Sequence, residues 1–251
     1  MKKLLKAVTL AAAGAVIMNS CIYISYSGSG DRKGRVTASG EDTTLVYSGI
    51  AATYDEIDIA NTMNVKYSDS ADCITVIADK NLVPYIKVYV EGGELKINMK
   101  GVSLFNTPSP MVTVPVSTKP LKSIDVSGAS KFSSDVILEG KELSIDLSGA
   151  SKAELEAKVD ELDADLSGAS MLNIGGISDE AELCCSGASK INCDEFSTDY
   201  ADVHVSGASR IGCLDAKAAA GSVSGASSIK FSKECDAAKV STSGASSISF
   251  D

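Results

Sequence analysis

Hydrophobic and polar residues alternate with a period of two through the second half of the chain, on both sides of a recurring tetrapeptide. Such alternation places successive side chains on opposite faces of a β-strand, so each repeat is predicted to form a strand, a tight corner and a second strand. The tetrapeptide, Ser-Gly-Ala-Ser, recurs every 18 to 21 residues and begins at Ser127, Ser148, Ser167, Ser186, Ser206, Ser224 and Ser243. One repeat of this length cannot bury a hydrophobic face alone, which means that the repeats must stack and share a core.

Four positions in each repeat are mostly apolar and are predicted to face that core. They lie one and three residues before the tetrapeptide, and five and seven residues after its first serine. In the third repeat they are occupied by Leu166, Ala164, Leu172 and Ile174. The predicted fold class is therefore all-β: a parallel β-solenoid, or β-helix, with rungs of about 19 residues.

The second residue of every tetrapeptide is a glycine, which indicates a structural corner where a Cβ does not fit. The seven predicted corner glycines are Gly128, Gly149, Gly168, Gly187, Gly207, Gly225 and Gly244. Stacked serine hydroxyls beside them can bond to corner amides that would otherwise stay unpaired. A corner motif therefore explains the repetition without any function.

Residues 1–20 have the pattern of a signal peptide. Lys2, Lys3 and Lys6 form a positive segment, and an apolar run of twelve residues follows, which is too short to span a membrane. The run ends before Ser20 and Cys21, an arrangement that resembles the cleavage site of bacterial lipoproteins in the looser form of the Bacteroides group. Cys21 is therefore predicted to carry a lipid anchor, and an ordinary cleaved signal is the alternative.

The rest of the chain divides into a tether and one domain. Residues 21–44 are rich in Ser, Gly and charge and are predicted to be a lipid-anchored flexible tether. Surface-exported lipoproteins of the Bacteroides group tend to carry acidic residues directly after the lipidated cysteine, whereas Cys21 is followed by Ile22, Tyr23 and Ile24. The periplasmic face of the outer membrane is therefore favoured over the cell surface. Residues 45–251 are predicted to form the solenoid domain, with irregular rungs in 45–120 and regular rungs in 121–251.

The irregular half is predicted to include a cap, because an uncovered solenoid end is an aggregating edge. Two strand-like segments, Val83–Val90 and Leu95–Met99, flank a turn at Gly92 and Gly93. At the other end, the last rung stops at Asp251 and is incomplete. That end is expected to offer a surface for a partner, with a homo-oligomer as one possibility.

Composition narrows the classes of partner. The chain has 33 acidic and 23 basic residues and a net charge of −10, with no basic stripe outside the first positions. Nucleic-acid binding is therefore not expected. The absence of Trp, with Ser, Gly and Ala abundant, does not favour an aromatic ligand pocket.

His204 is the single histidine, so a Ser/His/Asp triad would have to use it. It lies at an outward-facing position of a strand, close in sequence to Ser206. Neither a nucleophile elbow nor a pocket is indicated there. His204 is therefore predicted to be a solvated surface residue.

Asp125, Asp146 and Asp165 occupy equivalent outward positions and are predicted to form a ladder about 4.8 Å apart. A carboxylate ladder could bind Ca²⁺ or serve a polysaccharide lyase. Lys131 and Lys152 stand on the other side of the same corners, which favours an ion-pair ladder worth little per pair. A calcium site is not expected.

Six cysteines follow Cys21, and none has the spacing of a zinc or redox motif. Cys193 and Cys213 are predicted to share an inward position on adjacent rungs. A disulfide between them is one interpretation, and buried thiols in place of Val or Ile are the favoured one.

Several segments, taken in order, resemble one known family. They are Tyr54–Ile59, Ala78–Leu82, Glu91–Ile97 and Leu121–Ser130. Together they resemble the autotransporter adhesin "head GIN" domain found in secreted proteins and lipoproteins of Bacteroides and its relatives.

The resemblance covers about residues 45–251 and implies a right-handed parallel β-helix. Asn61–Asn64 stands where the family's Gly-Ile-Asn motif would fall. The resemblance implies adhesion and supplies no catalytic residues. We therefore expect a non-enzymatic cell-envelope lipoprotein with an adhesin-like role in protein or glycan contact, bound to the membrane by its lipid and without a cofactor. The alternatives are a polysaccharide-binding or lyase-like β-helix acting on acidic glycans, and a purely structural envelope protein.

Overall fold

The structure is a computed structural model that describes residues 35–101, 103–105 and 108–251. The predicted signal peptide, 1–20, and the predicted lipid anchor, Cys21, lie outside the described residues. The described chain is a β-solenoid of about seven turns with rungs about 19 residues apart, which confirms the predicted fold class. No helix within these ranges is long and apolar enough to cross a membrane.

The described residues form nineteen strands and one short 3₁₀ helix, Val83–Tyr85. The strands are β1 (Arg35–Thr37), β2 (Asp42–Tyr47), β3 (Glu56–Ile59), β4 (Asn64–Ser68), β5 (Ile74–Asp79), β6 (Ile86–Glu91), β7 (Glu94–Met99), β8 (Ser103–Phe105), β9 (Met111–Pro115), β10 (Ser123–Val126), β11 (Lys131–Glu139), β12 (Glu142–Leu147), β13 (Lys152–Leu166), β14 (Met171–Cys185), β15 (Lys190–Val205), β16 (Arg210–Val223), β17 (Ser228–Phe231), β18 (Asp236–Thr242) and β19 (Ser247–Phe250).

Each Ser-Gly-Ala-Ser corner separates two parallel stacks of strands. The segments that precede the corners form the first face, in which Ile124 pairs with Ile145 and Ile145 with Ala164. The segments that follow the corners form the second face, in which Phe132 pairs with Ala153 and Ala153 with Leu172. Parallel in-register stacking of this kind is what the alternating pattern predicted.

The core runs between the two faces and is filled by the predicted inward positions. Ile145, Leu166 and Leu172 are at most 1% exposed, and the equivalent residues of most other rungs are buried as well. The last rung is the exception, because nothing described stacks beyond it, and Phe250 is 52% exposed. One continuous core thus extends through the stack.

One predicted core position is wrong. Cys213 does not occupy the inward position, because β16 carries an extra residue between Ile211 and Cys213 that shifts its register against β17. Leu214 pairs with Phe231 and is fully buried instead. Cys193 and Cys213 therefore do not share an inward position.

The solenoid begins one rung before the first tetrapeptide. In β3, Ile57 pairs with Ile124, and in β4, Val65 pairs with Phe132, so residues 56–68 form a rung of the same shape. Its corner contains Asn61 and Thr62 with φ of 65° and 68° in place of Gly and Ala. This is where the resemblance places the family's motif.

The outermost rung at this end is out of chain order. β7 pairs in parallel with β3, and β9 pairs in parallel with β4, so residues 94–115 stack outside residues 56–68 although they come later in the chain. The intervening segment leaves the stack and returns on its far side. The alternating pattern did not predict this crossing.

Antiparallel strands close the N-terminal end, in agreement with the predicted cap. β6 and β7 form the predicted hairpin, with Gly92 and Gly93 at positive φ in its turn. On the other face β5 pairs antiparallel with β9, and β2 with β5. The parallel stack thus ends in two short antiparallel edges, β6 and β2.

The predicted tether extends too far into the domain. Residues 35–44 include β1, which pairs with β8, and the start of β2. The loop between these two strands is held by Asp79, whose carboxylate accepts hydrogen bonds from the backbone N–H groups of Ser39 at 2.7 Å and Gly40 at 2.9 Å. A buried carboxylate with several donors fixes this segment, so the ordered domain starts by residue 35.

Candidate functional site

The seven corners form an exposed ridge almost without side chains. All seven corner glycines have φ between 73° and 78°, and the Gly-Ala pairs are exposed. From the second corner onward, each Ala N–H donates to the Gly carbonyl of the preceding corner, as Ala169 does to Gly149 at 2.7 Å. The final serine of the tetrapeptide turns inward, and Ser170 donates its hydroxyl to the carbonyl of Ser167 at 2.7 Å. The backbone of the ridge is thereby paired within the stack.

A column of aspartates lies beside the ridge on the first face. Asp125, Asp146 and Asp165 stack in register, as predicted, and Asp58 extends the column by one rung; these four are called the acidic column. Partial burial raises the pKa of Asp58, Asp125 and Asp146, and neighbouring carboxylates raise the pKa of all three further. The column is a line of like charges held close together.

Four cations lie beside the ridge on the second face: Lys131, Lys152, Lys190 and Arg210, with Met171 on the rung between Lys152 and Lys190; these four cations are called the basic column. The predicted ion-pair ladder across the corner is wrong. None of the four aspartates has a Lys or Arg nitrogen within 4 Å among the described residues. Lys152 instead contacts Glu154 on its own face, with 3.5 Å between Nζ and Oε2. The corner keeps the two columns apart because they project from different faces.

His204 is at an outward position, as predicted, and its side chain is 48% exposed. Its Nε2 lies 3.3 Å from Asp202, and its Nδ1 lies 3.3 Å from the hydroxyl of Ser222. In register, Cys184 is its neighbour on the preceding rung.

That neighbourhood does not produce a nucleophile. No hydrogen bond joins the Cys184 thiol to the His204 ring in the described structure; the thiol contacts Glu182 at 3.8 Å. Burial and nearby carboxylates raise the pKa of Cys184 to about 11, which keeps the thiol protonated at neutral pH.

All six cysteines of the described chain are free thiols, with Cys193 buried and Cys213 partly exposed. No group of three or more His, Cys, Asp or Glu residues in the described ranges is arranged to hold a metal ion.

The second face is interrupted by a series of register shifts at the same level. They occur after Ser133 in β11, after Asn173 where β14 meets β15, and after Ile211 in β16. Each shift adds residues to one strand and bends it away from its neighbour. Together they open a groove across the rungs, called the trough, which consists of two adjoining cavities.

The first cavity of the trough has a volume of about 390 Å³ and an acidic lining. Its carboxylates come from Asp135, Glu154, Glu156, Asp194 and Glu195, and no Lys or Arg lines it. Two side-chain amides cross its floor, where Asn192 Nδ2 donates to Asn173 Oδ1 at 2.6 Å. The cavity therefore offers many hydrogen-bond acceptors and few donors.

Gly175 makes a notch in that cavity. It stands in register between Glu156 and Glu195, and a Cβ placed on it would lie 3.4 Å from Cγ of Glu156 and 3.6 Å from Cβ of Glu195. The two glutamate stems thus lean over the glycine from both sides. A side chain at this position would fill the gap between them.

The second cavity has a volume of about 380 Å³ and is mainly basic. Lys190, Arg210 and Lys230 line it, and it shares Asn192 and Asp194 with the first cavity. Lys230 is paired with Asp251 at 2.7 Å, whereas Lys190 and Arg210 form no ion pair with any described residue. The trough therefore changes from acidic to basic along the solenoid axis.

Sequence reasoning did not identify the trough. The tetrapeptides place the corners correctly, but the extra residues that open the trough lie in segments where alternation merely weakens. The signal that could have revealed them is the uneven repeat length, 18 to 21 residues, together with Gly175 and Gly212 at outward positions of strands.

Comparison with known proteins gives a consistent picture of this architecture. The family model described as "Putative auto-transporter adhesin, head GIN domain" matches residues 53–235. No match is found among curated proteins.

Crystal structures of similar shape include proteins from Bacteroides and Parabacteroides species. A putative adhesin from Bacteroides fragilis has a TM-score of 0.73 and 19% identity, over 86% of this chain and 98% of that one. A putative adhesin from Parabacteroides merdae has a TM-score of 0.69 and 18% identity, over 87% and 99% of the two chains. A putative lipid binding protein from Parabacteroides distasonis has a TM-score of 0.68 and 20% identity, over 86% and 99%. At these identities the likeness shows the fold.

Proposed function

Because this chain belongs to the auto-transporter adhesin head GIN domain family, we propose that it is a non-enzymatic contact module of the cell envelope that binds glycans through the trough. The fold alone does not specify a ligand, since one fold can serve many functions. The trough is the observation that supports binding. It is the place where the regular stack departs from its own register, and bulges of this kind commonly occur beside functional sites.

The lining of the first cavity favours a neutral or amino-bearing saccharide. Carboxylates and side-chain amides accept hydrogen bonds from sugar hydroxyl groups, and exposed Ile137 in the lining offers apolar contact, at 53% exposure. An acidic polysaccharide would meet five carboxylates in this cavity, of which Asp135 and Glu154 are ion-paired, with Lys66 and Lys152, and the other three have no cation within 4 Å among the described residues. That repulsion disfavours the alternative of a lyase-like enzyme acting on acidic glycans.

A glycan array with the full chain tests the proposal. We expect binding to neutral or amino sugars that is lost in the double variant Glu156→Gln/Glu195→Gln and in Gly175→Leu, which fills the notch. Glu180→Gln, an exposed carboxylate on the first face, is the matched control and should bind as the wild type does. Absence of any saccharide ligand would favour a purely structural envelope role, and equal binding by all three variants would show that the glycan site lies outside the trough.

Attachment to the membrane through Cys21 is a separate part of the proposal. Its support is the positive segment, the short apolar run and the Ser20-Cys21 junction. The wild type should partition into detergent and incorporate labelled fatty acid, and Cys21→Ala should move to the soluble periplasmic fraction. Unchanged membrane association of Cys21→Ala would contradict the anchor. Protease treatment of intact cells distinguishes the periplasmic face, which we favour, from the cell surface.

A further inference from the structure

The second cavity of the trough gathers positive charge from three consecutive rungs. Lys190, Arg210 and Lys230 line it and belong to β15, β16 and β17. Lys190 and Arg210 are neighbours in register, so their backbones lie about 4.8 Å apart. Their like charges repel, and no carboxylate in the described part of the chain lies within 4 Å of either one. An anion placed between these two side chains would offset that repulsion.

The cavity also contains one carboxylate, which is already engaged. Asp194 Oδ1 accepts a hydrogen bond from the backbone N–H of Cys213 at 3.1 Å. A second carboxylate, Asp251, lies outside the lining and pairs with Lys230 at 2.7 Å. The remaining two cations have no such partner among the described residues. This cavity is therefore positive, although the chain as a whole has a net charge of −10.

An extra residue in β16, Gly212, provides the room. The register between β16 and β17 shifts between Ile211 and Cys213, so Gly212 is skipped in the pairing and lines the cavity. A Cβ on Gly212 would lie 3.1 Å from Oδ1 of Asp194, which is closer than ordinary contact. Because no side chain stands here, part of the lining is bare backbone below a volume of about 380 Å³.

Hydroxyl groups add neutral donors to the lining. Ser228 is in register with Arg210, and Ser249 is in register with Lys230. Both serines line the cavity, and neither hydroxyl is hydrogen-bonded to any residue that the structure describes. A hydroxyl can donate to an anion, and a guanidinium offers a planar fork of N–H donors that matches an oxyanion. The second cavity is therefore rich in donors, whereas the first is rich in acceptors.

We propose that the second cavity is an oxyanion-binding site for one sulfate, phosphate or carboxylate group, held by Arg210 and Lys190 with the Ser228 hydroxyl as a further donor. The site adjoins the first cavity, with which it shares Asn192 and Asp194. A saccharide in the first cavity can therefore place one acidic substituent in the second. That the anionic group belongs to a saccharide rests on the proposed function, whereas the oxyanion site itself does not.

The trough as a whole selects a single anionic group. A ligand with a charge on every unit would also extend into the first cavity, where Glu156 and Glu195 have no cation within 4 Å among the described residues. Like charges brought together in this way oppose binding. The favoured ligand is thus neutral or amino-bearing along most of its length and acidic at one position.

An NMR titration of the ¹⁵N-labelled full chain tests the oxyanion site. Sodium sulfate, sodium phosphate and sodium acetate are added separately, with sodium chloride holding the ionic strength constant. At least one of the three should shift the backbone N–H signals of Gly212 and Ser228 saturably, and their comparison shows whether a tetrahedral or a planar anion is preferred.

Two variants locate the binding groups. Lys190→Gln/Arg210→Gln should raise the dissociation constant at least about tenfold, because it removes charge-assisted hydrogen bonds. Lys131→Gln is the matched control, since Lys131 is an unpaired cation of the same column that lines neither cavity, and it should bind as the wild type does. Shifts that do not saturate with any of the anions, or that are equal in the double variant, would overturn the proposal.

Two matched amino sugars test whether a saccharide carries the anionic group. Glucosamine 6-sulfate should bind the wild type at least about tenfold more tightly than glucosamine, and the double variant should remove that difference. Equal binding of the two sugars by the wild type would disprove the placement of an acidic substituent in the second cavity. Saturable binding of inorganic sulfate without binding of either sugar would support the oxyanion site and count against the saccharide ligand.

Discussion

The carbonyl oxygen of Gly149 lies 2.5 Å from the position that a Cβ on Gly168 would occupy. The same relation recurs along the ridge, because each corner glycine stacks on the previous one with φ near +75°. Two constraints coincide at Gly168: a backbone conformation that L side chains rarely adopt, and a rigid carbonyl in the place of a side chain. The corner thus requires glycine both for its own conformation and for the spacing of the rungs.

Gly168→Val should therefore destabilise the domain by roughly 3–5 kcal/mol, through backbone strain and overpacking. Gly244→Val, in the last corner, should cost less, about 1–2 kcal/mol. There the carbonyl of Gly225 is 2.9 Å away, a single neighbouring rung constrains the corner, and terminal rungs fray. Denaturant melts compare the two variants, with Ala169→Val at an exposed position of the same corner as control. Equal small losses at both glycines would show that the corners tolerate side chains.

The closure of the N-terminal end depends on Asp79. Its carboxylate is 4% exposed and accepts hydrogen bonds from the N–H groups of Ser39, Gly40 and Asn81. Burial alone would raise the pKa of Asp79, but these hydrogen bonds outweigh it and hold the pKa below its usual value. The ionised form is therefore the one that the fold stabilises.

Asp79→Asn should lower the free energy of unfolding by about 2 kcal/mol at pH 7, because it removes a charged acceptor from three backbone N–H donors. Since the folded pKa is depressed, this stabilisation is complete above the unfolded pKa of about 3.9 and is lost as pH falls through the folded value. Urea melts at pH 7 and below pH 4 should show the difference between variant and wild type shrinking with acid. Asp72→Asn, at an exposed position, should show no such difference. A loss at Asp79 that is independent of pH would contradict the assigned role of its charge.

The sequence predicted the regular rungs because their information is local and repeated. Leu166 and Leu172 face the core as expected, since a period of two fixes the face of every residue in a straight strand. The predicted inward position of Cys213 is wrong because β16 contains one extra residue, and the alternation of apolar and polar residues does not reveal such an insertion. The trough was missed for the same reason, because it consists of such extra residues.

The crossing at the N-terminal end could not be predicted from local pattern. β7 and β9 alternate like any other strands, and nothing in their sequence specifies that they stack outside β3 and β4. That arrangement consists of pairings between segments far apart in the chain, which no local pattern encodes. The predicted ion pairs between the acidic and basic columns do not form, because the four-residue corner places the two columns on different faces.

The pKa of Asp146 is shifted in the opposite direction from that of Asp79. Partial burial, followed by Asp125 and Asp165 on the neighbouring rungs, raises its pKa. A raised folded pKa means that the ionised carboxylate reduces stability at neutral pH, and the penalty disappears as pH falls through the folded value toward the unfolded value of about 3.9. Asp146→Asn should therefore stabilise the domain by a few tenths of a kcal/mol at pH 7, after solvent screening is taken into account, and should leave its stability unchanged at pH 4.

Denaturant melts of the wild type and the variant at pH 7 and pH 4 measure this difference. Asp160→Asn, an exposed residue outside the acidic column, is the control and should leave stability unchanged at both pH values. A loss of stability in Asp146→Asn at pH 7 would mean that the carboxylate has a favourable partner, and the unpaired state of the acidic column would be disproved.

Thr62 stands in the corner of the rung before the first tetrapeptide, with φ of 68°. A β-branched residue in this region costs about 1–3 kcal/mol of strain, whereas asparagine, as at Asn61, tolerates it. Thr62→Gly relieves that strain but adds about 0.5–1 kcal/mol of chain entropy to the unfolded state, so a net stabilisation of about 0.5–1 kcal/mol is expected. Asn61→Gly should be nearly neutral, and Thr43→Gly, within β2, should be destabilising. Denaturant melts of the three variants give this order. A loss in Thr62→Gly as large as in Thr43→Gly would show that the threonine side chain contributes contacts that outweigh its strain.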